Sequence, residues 1–267
     1  NIMHRAGEAS IENEDRETSL GSIALDYSGD DTRVTFDAAI NKLRVEEGRP
    51  TVRANNLTSM LDAPSASHNF AAAGSYSDME DKFAQLRFEY DATDSTMLYT
   101  AIGVHNTDED SDFSSVTLTS TDGSGDFGRF ATVYEREDVS GVAGIRQEFE
   151  TGPVKHEINA GTTAMWQEER TNWNFGTAVA GNIYNSGPSN IEFGDPGNAN
   201  LSSHTILTSY FLADTVSFLN DKIHLTGGVR RQNVKSRGYD RLTSAKNSNY
   251  DSSANSPMAG IVGNVTD

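Results

Sequence analysis

The stretch SYFLADTVSFLNDKIHLTGGVRRQNV, Ser209 to Val234, alternates apolar and polar residues through two halves joined at a short polar break. A period of two is that of a β-strand whose faces meet different surroundings. If Asn220 and Asp221 form a two-residue hairpin loop, Phe218 faces Ile223, Val216 faces Leu225 and Leu212 faces Val229, all on one apolar face. Asp214 falls on that same face, opposite Gly227, where a charge is out of place. The reading therefore predicts a β-bulge or local twist near Ala213 that turns the carboxylate toward the polar face or toward a donor on a neighbouring strand.

The same pattern extends outward in both directions. Ser19 to Tyr27 puts Ile23, Leu25 and Tyr27 on one face and Ser22, Ala24 and Asp26 on the other, and Thr32 to Leu43 answers with Val34, Phe36, Ala38 and Ile40. With Gly29 and Asp30 as the loop, Leu25 meets Val34, Ile23 meets Phe36 and Asp26 meets Arg33. Two further hairpins follow, Phe83 to Tyr90 with Thr96 to His105, and Asp138 to Phe149 with Val154 to Glu168. A stub at Asn1 to Arg5 and a last strand from Met258 to Val265, after Pro257, bring the number to about ten strands.

Tight turns alternate with long polar connections, Arg44 to Asp81, Asn106 to Arg136, Glu169 to Ser203 and Lys235 to Ser256, always at the same end of the hairpins. Structureless connections longer than about 12 to 15 residues are uncommon in compact soluble domains. Short turns on one side and long loops on the other are the plan of an outer-membrane barrel, with the apolar face on lipid and the polar face on a lumen. The strands also reach the ~9 to 11 residues that a tilted strand needs to cross a bilayer.

The 267 residues carry a formal net charge of −18, and 36% are hydrophobic. The acidic balance excludes nucleic acid as a partner, since phosphates are repelled. No cysteine is present, which excludes disulfides and thiolate metal sites. No apolar run approaches the ~18 residues of a helical span, but that does not touch a barrel. The first residues, NIMHRAGEAS, have no signal-peptide pattern, and the chain is read as an internal piece of something longer.

The segment YFLADTVSFLNDKIHLTGGVRRQ resembles the barrel of TonB-dependent siderophore receptors, in which an apolar strand with an aspartate, here Asp214, leads into Asn220-Asp221-Lys222 and a strand with Gly228-Val229-Arg230. GPVKHEINAGTTAMW, Gly152 to Trp166, and the stretch from Gly21 to Pro50 resemble the same family in the same order. The resemblance implies an all-β, antiparallel, up-and-down transmembrane barrel, about ten strands of the roughly 22 of the whole. It implies one barrel portion over residues 1–267, with the plug domain and the C-terminal strands lying outside it. The implied function is that of a bacterial outer-membrane receptor that binds a ferric siderophore and imports it with TonB-coupled energy through the plug, without catalysis and without a resident cofactor. A passive porin-like or structural barrel and a secreted, adhesin-like soluble β-protein are the alternatives.

The candidate ligand contacts are aromatic. Trp173, Phe175 and Tyr184 are expected to help line a vestibule that grips the chelate, while Trp166 is placed either there or in the aromatic girdle at the outer interface. Arg87, Arg146 and Arg230 alternate onto the polar face, and Arg230 is the basic candidate for an anionic chelate, against pairing with lumen carboxylates. Other motifs read as structure. Gly123-Ser-Gly125-Asp-Phe-Gly128 fits a dinucleotide fingerprint but has no helix to follow it. Asp108, Asp110 and Asp112 start like a calcium loop, with Phe113 where a glycine and Thr119 where a glutamate belong. The six histidines lack metal-site spacing, and His156 and His224 are read as strand residues near turns. The sequons at Asn56, Asn200 and Asn264 are taken as chance.

Overall fold

A computed structural model describes residues 1–54, 57–219 and 222–263, and the described residues form one sheet and no helix. Its strands are β1 (Ile2–Glu8), β2 (Asp15–Ser28), β3 (Thr32–Glu46), β4 (Thr51–Arg53), β5 (Tyr76–Thr93), β6 (Thr96–Leu118), β7 (Ser124–Thr151), β8 (Val154–Phe175), β9 (Val179–Asn182), β10 (Asn200–Phe218), β11 (Ile223–Tyr239) and β12 (Lys246–Gly263). Ten of them follow one another as an antiparallel meander, β1-β2-β3-β5-β6-β7-β8-β10-β11-β12. The short β4 and β9 lie off this path, on β6 and β7.

The β10–β11 ladder has the register read from the sequence, with Phe218 opposite Ile223 and Leu212 opposite Val229. Leu219 turns into the left-handed region, φ 57°, and the Lys222 N–H donates to its carbonyl at 3.4 Å. The loop residues Asn220 and Asp221 lie outside the described residues, as do Asn56, Asn264 and Val265. The bulge predicted at Ala213 is absent. Pairing runs unbroken through Ala213, Asp214 and Thr215, because Asp214 finds a donor without leaving its face: His156 Nδ1 on β8 lies 2.9 Å from its Oδ2.

The first hairpin differs from expectation by two residues. Leu25 meets Phe36 and Tyr27 meets Val34, because the two-residue loop is Asp30-Asp31, one position further on, closed by the Gly29 N–H on the Thr32 carbonyl at 2.8 Å. A shift of two keeps every side chain on its face. It does remove the expected Asp26–Arg33 pair: Arg33 bonds Asp91 on β5 at 2.9 Å instead.

The strands also run further than their apolar alternation. Most of Asn106 to Arg136, read as a loop, is the upper half of β6 and β7, leaving only residues 119–123 as the turn. Lys235 to Ser256 likewise shrinks to residues 240–245, and Pro257 falls inside β12, an edge strand of this sheet where a missing N–H is tolerated. Connections 47–75 and 176–199 remain long.

The apolar face of the meander is exposed, with Ile23, Leu25, Ile102 and Leu212 each about half accessible or more, which suits lipid and not water. The buried core lies elsewhere. Phe70, Ala72, Val116, Leu118, Phe127, Ile183 and Ile191 form it at the long-loop end. There β4 takes the edge of β6 beyond the last β5 pair, and β9 takes the edge of β7 beyond β8. Val116 and Leu118 continue the alternation of Ile102 and Val104, so the face that meets lipid below is covered by loops above.

Buried polar ties hold this cap. Asp112, fully buried, pairs with Arg129, which also donates to the Gly74 carbonyl at 3.0 Å. Burial pushes the Asp112 carboxyl above the usual range against the pull of Arg129. Glu14, also buried, accepts from Arg16 Nε at 2.7 Å and from the Arg49 N–H at 3.3 Å. Asn69 Nδ2 donates to the carbonyls of Glu12 and Glu47, joining the β1–β2 turn to the β3–β5 connection.

Candidate functional site

Strict alternation fixes which side chains look into the lumen, because the β6–β7–β8 ladders run without register shifts. Near the short turns the inner wall carries Arg87, bonded to Glu89 through Nε at 3.0 Å. Arg87 and Arg146 each lie 5.9 Å from the ring centroid of Tyr99, whose hydroxyl donates to Asn159 at 2.8 Å. At mid-height Arg230 donates to Ser209 Oγ at 2.9 Å and Thr163 Oγ1 at 3.0 Å. Higher still, Asp138 accepts from Arg136 at 2.7 Å and Gln167 at 2.8 Å, and His105 lies 3.4 Å from both Asp138 and Asp81.

Above these polar rings the inner face turns aromatic. Phe130 on β7 lies opposite Phe113 on β6 and Phe175 on β8. Its ring centroid is 5.0 Å from Phe175 and 5.9 Å from Trp173, and Trp173 and Phe175 meet edge to face at 5.3 Å. Phe175 is 60% exposed and Phe113 40%. From the β11–β12 turn, Arg241 lays its guanidinium 3.8 Å over the Trp173 ring and donates Nη1 to Asn172 Oδ1 at 2.7 Å and the Trp173 carbonyl at 3.1 Å. No carboxylate lies within ion-pair distance of Arg241 among the described residues. The adjacent Asp240 is engaged in its own turn, accepting from Thr243 and Leu242, bonds that hold its carboxyl below the usual range, the Thr243 N–H foremost. A half-exposed shelf of mutually tilted aromatic rings with a preorganised cation can grip a large planar or anionic ligand by ring contacts and charge.

Of the residues singled out in the sequence, Trp173 and Phe175 are brought together. Tyr184 is not: it packs on the hairpin tip at Gly123 and donates to the Asp62 carbonyl at 2.6 Å. Trp166 lies on the apolar face, opposite Val139 and Ile206 and 5.7 Å from the His204 ring, the place of a girdle residue. Arg230 is in the lumen, below the shelf. Phe113, Phe130 and Arg241 were missed, because all three fall in segments read as loops. The glycine motif serves packing: Gly123 has φ +86°, and a Cβ on Gly125 would sit 2.6 Å from the Thr117 carbonyl. The calcium-like acids are dispersed among partners, with Asp110 on the Tyr76 hydroxyl and Asp112 on Arg129.

Residues 9–267 match the family model described as "TonB dependent receptor-like, beta-barrel". The chain belongs to this TonB-dependent receptor β-barrel family, whose members are outer-membrane proteins. It is 31% identical over 266 residues to the ferrichrome receptor FcuA of Yersinia enterocolitica, across 98% of this chain and 35% of that protein. BauA, the ferric preacinetobactin receptor of Acinetobacter baumannii, superimposes with a TM-score of 0.84 at 29% identity, across 100% of this chain and 40% of BauA. The ferripyoverdine receptor of Pseudomonas aeruginosa shares the fold at a TM-score of 0.82 and 14% identity, across 99% of this chain and 36% of its own. The chain thus spans about a third of the length of its curated relative, and in the TonB-dependent receptor family that third is barrel.

Proposed function

We propose that this barrel binds a ferric siderophore at the inner aromatic shelf, and that the complete protein imports it with TonB-coupled energy acting on a plug in the lumen. The observation that carries the reading is the Phe130–Trp173–Phe175 cluster with Arg241 stacked on the indole. It lies on the wall a ligand from outside meets first, above the polar rings that a plug would face. The two relatives support the class and not one member, since one is a ferrichrome receptor and the other a ferric preacinetobactin receptor. The site binds and releases; it performs no bond chemistry, and the iron is cargo.

The test is Trp173→Ala in the complete receptor, read as equilibrium affinity for a ferric siderophore that the wild type binds. Loss of a central aromatic contact together with its stacked cation is expected to weaken binding by about tenfold or more. Unchanged affinity removes Trp173 and the shelf from the reading.

A further inference from the structure

The Asp214–His156 pair on the apolar face of β10 and β8 has no part in the vestibule. Asp214 shares its face with Leu212, Val216 and Phe218, and His156 shares the corresponding face of β8 with Ile158 and Ala160. We propose that Asp214, His156 and the space over Gly227 form a headgroup site for a zwitterionic phospholipid bearing a primary ammonium, entered from the membrane at the short-turn end of the barrel. The proposal rests on the membrane placement of this face and not on the identity of the transported ligand.

Depth comes first. His156 is two residues from Val154, which opens β8, and Asp214 is four from Phe218, which closes β10. At ~3.3 Å per residue and a tilt near 45°, the two lie roughly 5 to 10 Å above the strand ends, where hydrocarbon gives way to headgroups.

Unmet bonding capacity comes second. Asp214 Oδ2 takes the 2.9 Å bond from His156 Nδ1, but Oδ1 is buried with no donor, a costly state for a carboxylate oxygen beside lipid. His156 uses Nδ1 for Asp214 and leaves Nε2 without a hydrogen-bond partner among the described residues. Its ring is fixed in plane by stacking on Phe149, 4.8 Å between centroids and 6° between planes. With Nδ1 on Asp214, the ring's Nε2 is left for the headgroup, and the exposed part of the Asp214 side chain, 35%, is open to its ammonium. The carboxylate is complementary to the headgroup's ammonium.

Room comes third. Gly227 faces Asp214 across the ladder, and a Cβ built there would meet nothing within 4 Å. The flanking residues of this face, Gln147, Ile158, Leu225 and Ala259, are uncharged, while Lys155, Glu148 and Glu157 alternate onto the lumen side. Among the described residues, no other charged side chain alternates onto this face beside the pair.

The experiment uses the complete receptor, delipidated in nonionic detergent and reloaded with equal amounts of phosphatidylethanolamine, phosphatidylcholine and phosphatidylglycerol, with bound lipid counted by native mass spectrometry. Wild type is expected to retain phosphatidylethanolamine over the other two by about tenfold, the worth of one charge-assisted hydrogen bond. Asp214→Asn is expected to abolish the preference, and so is Gly227→Leu, which fills the space while leaving the pair intact. Heat-modifiable migration of each variant reports that its barrel is folded, independently of siderophore binding. A wild type without headgroup preference, or an Asp214→Asn barrel that keeps it, overturns the proposal.

Discussion

At the scale of single residues, the buried ion pair of the loop cap is the most sensitive point. Arg129→Ala leaves the Asp112 carboxylate buried without its partner, a change that costs about 3 to 5 kcal/mol in comparable pairs. Limited proteolysis of the complete receptor is expected to show rapid nicking within residues 47–75, while Asp112→Leu combined with Arg129→Met restores most of the resistance. The same carboxylate sets a pH dependence. Because its folded pKa is raised above the ordinary 3.8, the folded cap binds this proton more tightly than the unfolded chain, and Asp112 contributes increasing stability as pH falls toward 3.8. Asp122 and Asp240, in the turns of the same end, are lowered instead, so their contribution is full above 3.8 and is lost only below it. Protection of cap amides from hydrogen exchange, corrected for intrinsic rates, is therefore expected to peak near pH 4; a monotonic fall from pH 7 to 4 would contradict the burial of Asp112.

At the scale of elements, the packed connections act as one body. Gly187 lies so close to the strip Phe70 to Ala72 that a Cβ would sit 1.8 Å from the Ala71 carbonyl oxygen. Gly187→Ala is expected to separate the β8–β10 connection from the β3–β5 connection, raising hydrogen exchange in both while leaving the β10–β11 ladder protected. Exchange confined to the substituted connection alone would show that the two are independent. This is also where sequence reading reached its limit. Alternation of apolar and polar residues located every membrane-spanning strand, and gave the β10–β11 register residue by residue. It stopped at His105 and Asp138, because above the belt both faces are polar: Asp108 and Asp110 alternate with Thr107, Glu109 and Ser111. Hydrogen bonding continues where hydrophobic contrast ends, so Phe113 and Phe130 read as loop residues. Asp214 shows the converse: an irregular residue in a regular strand, whose partner His156 lies 58 positions away and has no local signature. Tyr184 and Trp173 are near in sequence, yet β9 carries the chain onward along the edge of β7 to the hairpin tip at Gly123, and the shared site dissolves.

At the scale of the whole molecule, the described sheet ends in β1 on one side and β12 on the other, each paired along one edge only. Unpaired backbone groups are untenable in lipid and adhesive in water. Residues 1–267 expressed alone are expected to self-associate in detergent through these edges, as measured by light scattering on a sizing column. A monodisperse monomer would mean that the edges close on each other.

The placement of the cap has a consequence for how such a protein changes over time. Its core packs on the outward side of the β6–β7 hairpin, while the aromatic shelf occupies the inward side of β6, β7 and β8. Whatever approaches the cell surface from the flank, an antibody or a phage fibre, meets the coat of loops and not the inner aromatic wall. The coat can therefore be rewritten, residue after residue, under attack from outside, while the aromatic wall on the opposite face is left as it was.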